Sequence, residues 1–154
     1  MLALTKKTGY ALIAMTHLAT LDDGELSSAR EMADRYAMPA GLVANAMKTL
    51  ASAGYVESVR GARGGYRLAR DPEGITLRDI VEVLDRSIQL SECLGTHEVA
   101  GDVVCRVRGR CPIVDPLNRV QRRLKEFLGS VKLSDLVDPA FALASCEEGV
   151  LPCR

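Results

Sequence analysis

Three short amphipathic helical segments, an alternating strand–turn–strand run and a later heptad-spaced apolar seam predict the fold class. It is mostly α with a small β-hairpin wing. The order is that of a winged helix-turn-helix followed by a long dimerisation helix. The predicted organisation is a 1–86 winged helix-turn-helix unit, an 87–114 cysteine-containing sensor loop, a 115–138 dimerisation helix with its following turn, and a 139–154 tail.

Residues 5–20, TKKTGYALIAMTHLAT, predict the first helix, with apolar Leu12, Met15, Leu18 and Ala19 at helical spacing. Asp22-Asp23-Gly24 reads as the turn that ends it. Tyr10 and Tyr36 read most simply as core, and His17 as a surface or partly packed histidine. Ser28-Ala29-Arg30-Glu31 is a capping box and starts a second helix. Its apolar face is Ala29, Met32, Ala33 and Tyr36. Pro39 stops that helix and suits the first turn of a third, over 39–53. Leu42, Val43, Ala46, Met47 and Leu50 are its expected buried stripe, and Gly54 is its stop.

The wing follows as YVESVRGARGGYRLA, with strands at 55–59 and 66–69 around an RGARGG turn. Thr76 caps a fourth helix, with Asp79 completing the cap and Leu77, Ile80, Val81 and Leu84 on one face. Asp115-Pro116 is a helix start, cap then proline, and Gly129 its expected end. Within it Leu117, Val120, Leu124 and Phe127 form an a/d seam suited to pairing two chains, although one such face can also pack internally. A short SDLVDP turn precedes the tail.

The chain has 154 residues, is 47% apolar and carries no net charge. That suffices for one packed domain with an aliphatic, alanine-rich core and excludes a disordered-type composition. No run of 18 apolar residues exists to span a membrane. Lys6-Lys7 before an apolar stretch mimics a short signal peptide, but Thr16 and His17 interrupt it and no small-x-small cleavage site follows. A cytoplasmic chain is expected, where structural disulfides are uncommon.

The zero net charge hides two basic zones. Residues 35–70 carry six Arg or Lys against Glu57, and residues 104–125 carry seven against Asp115. Between them, residues 71–103 carry eight acids and two bases. The third helix turns Ala40, Gly41, Ala44, Asn45, Lys48, Thr49 and Ser52 away from its apolar stripe, a small polar face with one base and no acid. Such a face can enter a major groove. Asn45 and Thr49 are the side chains best placed to read base edges, with Ala40 beside them. Lys48, Arg60, Arg63 and Arg67 would neutralise phosphates, and the glycines around Arg60 and Arg63 permit close approach. Double-stranded DNA is the expected partner. An enzyme is not: there is no CxxC, phosphate loop, metal-hydrolase motif or convergent Cys/His/Asp set.

Three of the five cysteines, Cys93, Cys105 and Cys111, lie in the polar loop with gaps of eleven and five residues. Arg106, Arg108 and Arg110 favour thiolate over thiol there. Clustered thiolates suit an iron–sulfur cluster. They also suit a zinc site, with His97 as fourth ligand, a thiol–disulfide or sulfenate switch, or inert thiols. Cys146 and Cys153, with six residues between them in the tail, read first as incidental exposed thiols and otherwise as a redox pair or an extra ligand.

The runs LTKKTGYALIAM, SAREMADRYAMP, LASAGYVESVRGARGGYRLAR and ITLRDIVEVLD resemble the IscR/NsrR-type (Rrf-two family) winged helix-turn-helix regulators over residues 2–138. GYVESVRGARGGYRLAR is the most specific of them. The resemblance implies a dimeric bacterial transcription factor, usually a repressor, pairing through Leu117, Val120, Leu124 and Phe127 on a palindromic operator. It further implies that Cys93, Cys105 and Cys111 hold a [2Fe–2S] or [4Fe–4S] cluster that reports iron–sulfur status, redox or nitric oxide. The first cysteine gap is longer than in the family. Val114 and Gly9 stand where relatives carry a fourth ligand, leaving His97, Asp115, Asp102, a tail cysteine or an exogenous group. Some relatives work without a cluster. The alternative is therefore the same fold controlled by a thiol switch, zinc or a partner protein.

Overall fold

The computed structural model describes residues 4–61, 63–85, 88–90 and 110–138. In chain order they form α1 (Lys6–Ala19), α2 (Ala29–Arg35), α3 (Ala40–Ser52), β1 (Val56–Val59), β2 (Gly65–Leu68), α4 (Leu77–Asp85), α5 (Val114–Ser130) and α6 (Leu133–Val137). A 3-10 turn, Pro72–Gly74, links β2 to α4. This is the expected helical chain with a two-stranded antiparallel wing.

The local signals act as read. The Ser28 hydroxyl accepts from Glu31 N–H at 3.1 Å and the Glu31 carboxylate accepts from Ser28 N–H at 2.7 Å. Those bonds hold the Glu31 carboxyl below its usual pKa. Asp79 and Thr76 build the same reciprocal cap on α4. At the end of α3, Gly54 takes a φ of 76°, and its N–H and that of Tyr55 reach back to Ala51 and Leu50 carbonyls. This is a Schellman closure that a side chain would strain. Ala37, in the turn between α2 and α3, takes the same left-handed conformation at φ 50°, and Met38 N–H bonds the Ala33 carbonyl at 2.8 Å.

The core joins α1, α2, α3 and α4. Ala11, Ala14, Ala33 and Ala46 let helices approach closely, while Met15, Met32, Met47, Leu50, Ile75 and Ile80 fill the space between them. The chain returns to this core after α5. Leu77 N–H bonds the Val131 carbonyl and Leu133 N–H bonds the Ile75 carbonyl, both at 2.8 Å, and Leu133 is fully buried.

Several expectations are corrected. His17 is buried at 7% exposure, because it stands three residues after Ala14 on the apolar stripe of α1. Tyr36 is 40% exposed, since it caps α2 instead of lying within it. Leu42 is 38% exposed, at the edge of the α3 stripe formed by Val43, Ala46, Met47 and Leu50. Pro39 is the N-cap of α3, one residue ahead of the first turn. The fifth helix begins at Val114, with Ile113 as its cap and no side-chain cap bond, so Asp115 serves its first turn as an acid instead. Gly129 lies inside that helix, and SDLVDP contributes most of α6.

Candidate nucleic-acid interface

The exposed side of α3 keeps the character expected of it. Ala40, Asn45 and Lys48 are exposed and Thr49 is half-buried. The Thr49 hydroxyl is already engaged. It donates to the Asn45 carbonyl at 3.0 Å and accepts from Lys7 Nζ at 3.3 Å. Its hydroxyl is thus committed within the protein, whereas Asn45 stands exposed one turn earlier on α3.

The wing is set against this helix by its strands and by a third short segment. Val56 pairs with Leu68 and Val59 with Gly65. Ser27 and Tyr66 exchange backbone hydrogen bonds at 3.1 and 2.9 Å. Glu57 and Arg67 face each other across the hairpin and form an ion pair at 2.7 Å. That pairing gives Arg67 a neighbouring acid on the open surface of the hairpin. Arg70 lies 4.7 Å above the Tyr55 ring and donates to the Gly54 carbonyl. The tip keeps Arg60 and Arg63, both exposed and paired with no acid among the described residues.

His17 lies behind this interface and ties its parts together. Its Nε2 is 3.2 Å from Ser27 Oγ, and its Nδ1 is 3.3 Å from the Tyr36 hydroxyl. Ser27 belongs to the segment paired with the wing, and Tyr36 closes α2. Burial, then the nearby Arg35 charge, holds the His17 pKa below 6.5. The sequence signal was present in the spacing of the α1 stripe, but histidine is as often found at a surface as in a core.

Of the expected cluster ligands, Cys111 is described and half-buried, three residues ahead of α5. Cys93 and Cys105 lie outside the described residues, as do His97, Asp102, Cys146 and Cys153. Asp115 is exposed in the first turn of α5. The seam on α5 is half open. Leu117 and Leu124 are half-buried, whereas Val120 is 53% and Phe127 62% exposed, with Ile113 one heptad before Val120 at 56%. On its inner side α5 is held to α4 by the Lys125–Glu82 ion pair at 3.4 Å. Gln121 adds a hydrogen bond from Leu90 N–H at 3.0 Å.

A helix-turn-helix with an acid-free outer face beside an arginine-tipped hairpin defines a winged-helix regulator that binds DNA. The family model of Rrf2, described as an iron-dependent transcriptional regulator, matches residues 4–139. The chain belongs to that family. It is 30% identical to the transcriptional regulator NsrR of Bacillus subtilis over 134 residues, 87% of this chain and 89% of that one. Its fold is similar to that of CymR, the global cysteine regulator of B. subtilis, with TM-score 0.67, 27% identity, and 89% and 97% of the two chains covered. It is also similar to IscR of T. potens, with TM-score 0.64, 27% identity, and 99% and 94% coverage. The family and these relatives are regulators, not enzymes. No helix of the described residues is long and apolar enough to cross a membrane.

Proposed function

We propose that this regulator senses iron–sulfur status, redox or nitric oxide through an iron–sulfur cluster held by Cys93, Cys105 and Cys111, and that it acts as a repressor. The observation that carries the reading is a set of three cysteines in one arginine-bearing segment, on a chain matched by an iron-dependent family. Three thiols are soft donors suited to iron–sulfur ligation, and the Arg106, Arg108 and Arg110 charges offset a thiolate-ligated group. Cys111 is a half-buried free cysteine three residues ahead of α5. When bound, the cluster supplies a group that reacts with oxidants and nitric oxide. The candidates for the fourth ligand are Asp115, His97, Asp102, a tail cysteine and an exogenous group.

The chain's own part is mechanical. Two copies pair through Leu117, Val120, Leu124 and Phe127, which sets two α3 helices roughly one DNA turn, ~34 Å, apart on a palindromic operator. Asn45, Lys48 and Thr49 then face the major groove, with Ala40 at the helix start, while Arg60 and Arg63 reach the flanking backbone. Cys111 stands at the root of the pairing helix. A change in what its sulfur bonds to shifts the population of α5 positions and, through α4, the fit of the two α3 helices to DNA.

The test is a visible spectrum with iron, sulfide and zinc analysis on protein purified without oxygen. Charge-transfer bands with iron and acid-labile sulfide, lost when the three cysteines become alanine, are the expected result. A colourless protein without iron after reconstitution would overturn it. Zinc would then assign a structural site, and neither metal a thiol switch or control by a partner protein.

A further inference from the structure

Lys7 belongs to α1, outside the helix-turn-helix, yet its ammonium donates to Thr49 on the outer side of α3 at 3.3 Å. With its own proton on the Asn45 carbonyl at 3.0 Å, the Thr49 hydroxyl is held from both sides and its rotamer is set. Thr49 lies one turn beyond Asn45, so this contact reaches the middle of the reading face.

The turn that carries Lys7 is itself anchored. Thr5 Oγ1 donates to Asp85 Oδ1, the last residue of α4, at 2.7 Å. Its proton being spent there, Thr5 Oγ1 accepts from Thr8 N–H at 3.2 Å and from the Thr8 hydroxyl at 3.1 Å. Thr8 is fully buried, and this is the bond that satisfies its hydroxyl. The first turn of α1 contains Lys6 and Lys7 and no acid, which opposes the helix dipole. Asp85 supplies the missing negative charge from another helix.

We propose that Lys7 is a positioning residue for DNA reading. Through Thr49 it orients the central part of the α3 face, and Asp85 holds the turn from which it reaches. The proposal rests on α3 being the helix that enters the groove. It also ties that face to α4, the helix on which α5 packs.

The experiment uses the full chain and duplexes enriched from a random-sequence pool by the wild-type protein. Affinity is measured by fluorescence anisotropy across a salt series, with an unfolding midpoint for every variant. Lys7→Met is expected to weaken binding roughly threefold to tenfold, and to cause no further loss in a Thr49→Val background. Lys7→Arg, which keeps a donor, restores binding. Asp85→Ala reproduces part of the loss without touching either partner of the Lys7–Thr49 bond, and Asp85→Asn, which keeps an acceptor oxygen but not the charge, reproduces less of it.

A Lys7→Met loss that is equal in the Thr49→Val background, with the salt slope reduced by about 1, would make Lys7 a plain phosphate ligand and overturn the proposal. So would unchanged binding by both Lys7→Met and Asp85→Ala. Asn45→Ala and Lys48→Ala separate the two levels of the argument. If both bind as wild type, the reading of α3 fails. If they weaken binding and Lys7→Met does not, the positioning role alone fails.

Discussion

Gly65→Ala would add one methyl group at the root of the wing. A Cβ there would stand 2.9 Å from both the carbonyl carbon and oxygen of Ser27 and 3.2 Å from its nitrogen. Relaxed contacts between carbons lie at about 3.5–4.0 Å, so the Ser27 backbone would have to retreat by roughly half an ångström or more. It is poorly able to do so. Ser27 exchanges two backbone bonds with Tyr66, at 3.1 and 2.9 Å, and its hydroxyl meets His17 at 3.2 Å. Overpacking by one methyl costs about 1–3 kcal/mol, and stretching the two bridge bonds adds up to about 1 kcal/mol. The expected loss is therefore about 1–4 kcal/mol, read as a lower urea midpoint at unchanged slope. DNA affinity should fall as well, because the wing tip moves with its root. Gly9→Ala is the control, since nothing stands within 4 Å of its Cβ inside α1. It should gain about 0.5–1 kcal/mol. A Gly65→Ala protein that unfolds at the wild-type midpoint would refute the close approach of β2 to Ser27.

Removing the α2 capping box by Ser28→Ala should cost about 1 kcal/mol, a fall of roughly 2–5 °C in a thermal melt. His17 makes stability depend on pH in a definite direction. Its folded pKa lies below 6.5, so the unfolded chain binds the extra proton first. The neutral ring's contribution is whole above pH 6.5 and is lost as pH falls through the folded value. Urea midpoints taken from neutral to mildly acidic pH should show a drop in the wild type that is reduced in His17→Gln. Phe127→Glu places a charge at a residue 62% exposed in the single chain. In the proposed dimer, losing about 1.5–2 kcal/mol of burial in each copy should raise the dissociation constant roughly a hundredfold or more. Sedimentation velocity reads that directly, and an unchanged dimer would move the pairing surface elsewhere.

Punctuation and period were readable along the chain. The Ser28–Glu31 and Thr76–Asp79 boxes, the Gly54 stop and the alternation around RGARGG are local, because each depends on residues within one turn or one hairpin. These features already specify helix, turn, helix and wing in order, and with them an acid-free α3 face carrying Asn45 and Lys48. The three cysteines and their arginine neighbours, on which the proposed sensor rests, are likewise visible in the sequence.

What partners a side chain across the fold is not local, and there the sequence was silent. Arg67 and Arg60 look alike in the sequence, but only hairpin register puts Arg67 against Glu57 and leaves Arg60 at the tip. His17 looks like a surface residue until α1 packs its stripe against Ser27 and Tyr36. Lys7 and Thr49 are 42 positions apart, and Thr5 and Asp85 are 80 apart. Helical period and capping are set by bonds within a few residues, so composition and spacing carry them. Contacts between elements depend on how packed surfaces meet, so only the assembled core shows which polar groups are paired and which remain free for DNA.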